Sequence, residues 1–207
     1  MRVLFVPGLN CEASIWEGAG RLPAVEPVAV AWPTEGIGSM DEAAAWLAGT
    51  IDEVQADAVV GHSLGGCVAM HLFGHLGHRP LRPLVIVDTF MVIPHEMFRN
   101  HVWDGPDEVA ERVRAMLERQ RPRYAALREV AMAFEEDDGW RQAAVATGAR
   151  FVYGGRGEDA VSVVAARAGV PEAAWDRVAV LPATSHFLML EQPDAFYELL
   201  RRALSEA

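Results

Sequence analysis

The 207-residue chain contains no lysine; all 18 of its Lys+Arg residues are arginine. A lysine Schiff base and the lysine of a phosphate-binding P-loop are therefore excluded. Cysteine is nearly absent as well. Cys11 and Cys67 form no C-x-x-C pair and no repeated spacing, so neither a disulfide framework nor a zinc ribbon is indicated, and a reducing compartment fits best. Positive charge is in deficit. With a formal net charge of −11, a pI of about 5.0 and no basic stripe, nucleic acid and anionic membranes are not expected partners. Long apolar runs are also missing. The opening "MRVLFVPGLN" carries a short run that stops at Pro7-Gly8, too short for a signal segment or a membrane span, and it reads as a buried strand. No G-x-G-x-x-G follows that strand, which disfavours a doubly wound nucleotide binder. These absences point to a cytoplasmic protein acting on a small molecule, and the residues set no oligomeric state.

What is present is enough apolar sequence for one domain with a sizeable core: 51% of residues are hydrophobic and 23% charged. Short apolar runs alternate with helical patterns, the signature of a parallel sheet covered on both faces. Strands are expected at Val3–Val6, Val28–Trp32, Ala58–Gly61, Leu84–Asp88, Arg150–Tyr153 and Val178–Leu181. Helices are expected near Met40–Glu53, Gly65–Gly77, Val161–Ala168 and Pro193–Ala203. The fold class is α/β, a doubly wound and mostly parallel sheet of about six strands. From Met91 to Gly148 the rhythm breaks. Val109, Val113, Met116 and Leu117, then Leu127, Val130, Ala131 and Phe134, recur at helical spacing, with Pro106 and Pro122 placed as first-turn prolines. Residues 1–90 and 149–207 then form a core, and 91–148 a helical cap inserted over the carboxyl ends of the strands, where open α/β sheets bind ligands.

Residues 59–66 read "VVGHSLGG", so Gly61-His62-Ser63-Leu64-Gly65 matches G-x-S-x-G between an apolar run and a helical pattern. A serine on so tight a strand-to-helix turn exposes its Oγ, and the glycines remove side chains that would clash as the chain doubles back. Roughly 0.04 chance matches are expected for this composition, so position gives the motif its weight. An ordinary glycine-rich βα turn is the plainer reading. His186, in "VAVLPATSHFLMLEQPDAF", follows the last strand on a short loop that suits a general base. His71, His75 and His78 share a helix side, yet no metal site is expected from them. Three residues compete as the acid that orients His186: Asp159 first, then Glu158 in the same "FVYGGRGEDAV", and Asp88 at the end of "LVIVD". At "VPGLN", the backbone N–H of Leu9 is placed to pair with that of Leu64 as an oxyanion hole.

These segments resemble those of the α/β-hydrolase superfamily over nearly the whole chain: "VVGHSLGG" its nucleophile elbow, "LPATSHFLMLEQPDAF" its histidine segment, "VLFVPGLN" its oxyanion turn. The resemblance departs in three places. Pro7 stands where many members carry histidine, the loop after "FVYGG" does not match the usual G-x-x-D spacing, and the sheet lacks the family's usual first two strands. The resemblance implies a serine hydrolase with a Ser63-His186-Asp159 triad, needing no cofactor or metal, that cleaves a small, mostly hydrophobic ester, thioester or lactone. Met91, Met97, Phe98, Trp103, Met132, Phe134, Trp140 and Phe187 are candidates to line its pocket. The same fold also hosts lyases that use the triad for proton transfer, and a binding protein with a vestigial triad is a third reading.

Overall fold

In the computed structural model, which describes residues 1–78, 81, 83–91, 106–133 and 145–205, six strands pair side by side and every pair is parallel. They are β1 (Arg2–Val6), β2 (Glu26–Ala29), β3 (Ala58–His62), β4 (Leu84–Val87), β5 (Arg150–Gly154) and β6 (Val178–Leu181), in the order β2-β1-β3-β4-β5-β6. The central strands are buried on both faces, which is why they read as unbroken apolar runs. Leu4, Val59, Ile86 and Phe151 point to one face, against α1 (Met40–Val54), α2 (Leu64–Met70) and α5 (Val161–Arg167). Val3, Phe5, Val60, Val85 and Val152 point to the other, against α7 (Pro193–Ser205) and a 3-10 segment, Ala13–Arg21. Within α1, Ser39 Oγ accepts from Glu42 N–H while Glu42 Oε2 accepts from Gly38 N–H, two orphan donors satisfied at one helix start.

Two elements differ in extent from the sequence reading. β2 begins at Glu26, two residues early. Glu26 N–H donates to Met1 O and its carboxylate pairs with Arg2, which pulls the pairing upstream. Pro27 is tolerated because this is an edge strand that has a free side for its missing N–H. The helix after Ser63 runs as α2 and then changes to a π-helical turn, His71–His75, where His71 Nε2 meets Asp41 Oδ1 at 2.6 Å. Asp41 thus serves as a partner to His71 as well as a first-turn acid.

Between β4 and β5 lie α3 (Asp107–Gln120) and α4 (Ala125–Ala133), both amphipathic as their spacing requires. Val113 and Met116 of α3 pack with Trp16 and Phe187; Leu127 and Val130 of α4 pack with the opposite cluster. The two helices therefore contribute to different core clusters. Glu12, just past the first strand's turn, accepts from Arg119 Nε at 3.0 Å and Gln120 Nε2 at 2.5 Å, and Glu17 accepts both guanidinium arms of Arg112. Met97, Phe98, Trp103, Phe134 and Trp140 lie outside the described residues. No helix among the described residues is long and apolar enough to cross a membrane.

Candidate active site

Ser63 follows the last residue of β3 and precedes the first of α2, with φ 51° and ψ −119°. For a non-glycine residue this is a strained conformation, held here because its surroundings leave no other path. Its N–H donates to Val87 O at 3.0 Å, and its carbonyl accepts from the N–H groups of Gly66 and Cys67 and from Thr89 Oγ1. A Cβ on Gly65 would lie 2.6 Å from Val6 O, and one on Gly61 would lie 2.7 Å from the backbone of Gly65. The two glycines let three chain segments touch, as the G-x-S-x-G spacing demands.

The turn after β1 lies directly against this elbow. A Cβ placed on Gly8 would be 3.0 Å from both Ser63 Cβ and His62 Nδ1. Trp32, which is buried, donates its indole N–H to Pro7 O at 3.0 Å and Gly8 O at 3.1 Å, and Cys11 N–H donates to Gly8 O. The turn carrying Leu9 is therefore fixed from two directions. Leu9 and Leu64 follow Gly8 and Ser63 on adjoining turns. Asn10 bends the chain at φ 57°, and its buried Oδ1 has no hydrogen-bond partner among the described residues.

His186 sits after β6, 8% exposed, with Nδ1 2.6 Å from Asp88 Oδ2. A carboxylate only accepts, so Nδ1 carries a proton, and in the neutral imidazole Nε2 is the nitrogen with the lone pair. Asp159, preferred from the sequence as the acid, is not the carboxylate that meets His186 in the structure. Asp159 is exposed, its own N–H bonded to Glu158 Oε1, and Glu158 caps Ala160 N–H at the approach to α5. The reason is the path of the loop after β5. Arg156, with φ 51°, turns its side chain inward and takes the space beside Asp88, carrying Glu158 and Asp159 out toward α5. Asp88, immediately after β4 and itself at φ 42°, is aimed by its strand and needs no loop to reach the imidazole.

Asp88 is fully buried. Burial pushes its carboxyl up, but the charge of Arg156 and hydrogen bonds from His186 and Arg156 outweigh that and hold it well below the usual carboxylate range. Gly154 N–H donates to Oδ1 at 2.9 Å, completing the shell. The loop bearing His186 is stapled by Glu191, whose carboxylate accepts from Ser185 N–H at 2.8 Å, Ser185 Oγ at 2.5 Å and Phe187 N–H at 3.2 Å. A Cβ on Gly154 would lie 2.1 Å from Ser185 O, so only glycine admits this loop so close to β5.

Sequence reasoning passed over three of these residues. Arg156 and Glu191 gave no signal beyond their charge. His62 was read only as the variable position of the motif. In the structure its Nε2 lies 2.9 Å from His186 O, so Nε2–H donates and Nδ1 is left as a buried acceptor without a partner among the described residues. Burial first, then the neighbouring His186, pushes His62 down to about 3, so it is neutral near pH 7. Burial likewise pushes the Cys11 thiol up to about 12 and raises Cys67, so neither is a thiolate nucleophile under ordinary conditions. Among the described residues, no three His, Cys, Asp or Glu side chains group as a metal site.

The model of the alpha/beta hydrolase family matches residues 3–199. No curated protein matches the sequence. Among solved structures, Est816, titled an N-acyl homoserine lactone degrading enzyme, is 19% identical with TM-score 0.62, the match covering 98% of this chain and 92% of that one. MenH from S. aureus is 14% identical with TM-score 0.70, covering 100% and 94%. A structure titled for carboxylesterases of the thaumarchaeon Nitrososphaera gargenis is 13% identical with TM-score 0.71, covering 99% and 90%. At such identities the likeness is one of fold.

Proposed function

The chain belongs to the alpha/beta hydrolase family, and from that premise we propose that it is a serine hydrolase of small, mostly hydrophobic esters, thioesters or lactones, acting through Ser63, His186 and Asp88. Ser63 Oγ attacks the substrate carbonyl while His186 Nε2 takes its proton. Asp88 accepts the Nδ1–H, keeps the ring in that tautomer and stabilises the imidazolium as it forms. The backbone amides of Leu9 and Leu64 bind the oxyanion, and His186 returns the proton to the leaving group. Water, deprotonated by the same imidazole, then cleaves the acyl-enzyme and frees Ser63. Residues 91–148 act as the cap, with the Glu12 and Glu17 contacts to α3 tying it to the segment that follows the oxyanion turn.

One observation carries the reading: a strained serine on a strand-to-helix turn, in the same corner as an imidazole anchored by a fully buried carboxylate. The neighbours titled as a lactone-degrading enzyme and as carboxylesterases support the substrate class. Treatment with a fluorophosphonate probe, followed by mass spectrometry, tests it. The expected result is one adduct, on Ser63, absent from Ser63→Ala. A folded protein that takes no label sinks the reading. A labelled protein that turns over no ester, thioester or lactone favours proton-transfer chemistry at the same three residues.

A further inference from the structure

The Asp88 carboxylate has two strong claimants. Its Oδ2 receives His186 Nδ1–H at 2.6 Å and also an arm of the Arg156 guanidinium, whose other arm reaches Oδ1 at 3.0 Å. The imidazolium formed in turnover is itself a counter-charge for the acid of a triad. Arg156 is nevertheless strongly held. Its guanidinium lies 5.0 Å over the Phe90 ring, its Nη1 also donates to Gly154 O, and its backbone N–H donates to Thr184 O at 2.9 Å, two residues before His186. Only 12% of its side chain is exposed, so water screens the charge little.

We propose that Arg156 is a positioning residue of this site, which locks the Asp88 carboxylate and, by sharing it, weakens the hold of His186 on a proton. A lone buried carboxylate would stabilise the imidazolium fully. One already matched by a guanidinium stabilises it less. Other polar or charged side chains at this corner, among the described residues, have roles of their own. His62, at the end of β3 with its ring centroid 4.5 Å away, is neutral; Glu191 from α6 (Leu188–Glu191) is engaged by Ser185 and Phe187; Arg167 from α5 bonds the Gly155 carbonyl. Removal of Arg156 is therefore the change that alters the charge on Asp88 directly.

This role rests on His186 being the base of the proposed hydrolase, and its test is chosen to separate the two. The His186 ring is titrated by NMR in the resting protein, which needs no turnover, and the acid limb of kcat/KM is measured beside it. In Arg156→Met the ring midpoint and the acid limb both move up by about one pH unit or more. In Arg156→Lys, which keeps the charge, both stay closer to the wild type. Where Arg156→Met does not fold, Arg156→Gln, which keeps an N–H for Asp88 without charge, carries the same expectation. A folded neutral variant whose midpoint and limb coincide with those of Arg156→Lys overturns the proposal and leaves Arg156 a structural residue. Absence of a Ser63 adduct would overturn the hydrolase reading while the ring titration still decides this one.

Discussion

His62 gives the protein a sensitivity to acid that can be worked out from its surroundings. The side chain is fully buried, and its folded value of about 3 lies far below the ordinary 6.5. Below about pH 6.5 the unfolded chain protonates this histidine and the folded chain does not, so stability is lost as pH falls toward 3. The slope approaches about 1.4 kcal/mol per pH unit, or about 2–3 kcal/mol in all by pH 4.5. That is a large part of the roughly 5–15 kcal/mol that holds a domain together. Groups such as Asp88, Glu12 and Glu17, also held below their ordinary values, act in the carboxylate range and so further down the scale. His62→Gln is the informative substitution, because an amide never titrates here and its N–H is able to donate to His186 O. Urea unfolding followed by circular dichroism, repeated from about pH 7.5 to 4.5, gives stability against pH for both proteins. The variant is less stable at neutral pH by about 1 kcal/mol, for an imperfect hydrogen bond. The gap then closes and inverts as acid is added. Two curves that run parallel throughout would refute the reasoning, since His62 would then titrate alike in both states.

Two site variants follow from the same geometry. In Asp88→Asn the amide donates to Nδ1 and enforces the wrong tautomer; esterase kcat of the folded variant is expected to fall by about 10⁴, whereas Asp159→Asn stays within about twofold, both read by steady-state kinetics. Equal effects of the two would return Asp159 to the site. Trp32→Phe removes the indole N–H that Pro7 O and Gly8 O both accept, and kcat is expected to drop by about tenfold with KM little changed, because the proposed oxyanion turn rather than substrate binding is loosened. A change confined to KM would place Trp32 in the binding pocket instead.

Most of the sheet was legible because strands buried on both faces leave an unmistakable apolar run, and five of the six were read within a residue or so. β2 was read two residues late because it is an edge strand, where Pro27 is permitted and the pattern is weak. Ser63 and His186 stand out in the sequence because a strand-to-helix elbow and a loop after the final strand impose residue types that spacing reveals. Which acid faces His186 does not, since Asp88, Glu158 and Asp159 all follow strands and the direction of a loop is set by contacts distant in sequence. The positive φ of Arg156 sends one arginine inward and two acids outward, and no local pattern encodes that choice. For the same reason Glu191 and His62, which act only on the loop of His186, were invisible until the loop had a shape.

The bonds at this corner join chain segments that are far apart along the backbone: 124 residues from His62 to His186, 98 from Asp88 to His186, and 68 from Arg156 to Asp88. During synthesis the elbow and the acid leave the ribosome well before the imidazole does. A nascent or cleaved fragment ending ahead of His186 has the serine and the acid of the proposed triad but not its base. Under that proposal, the loop that follows β6 supplies the last member, so completion of the sheet and the onset of activity become the same event.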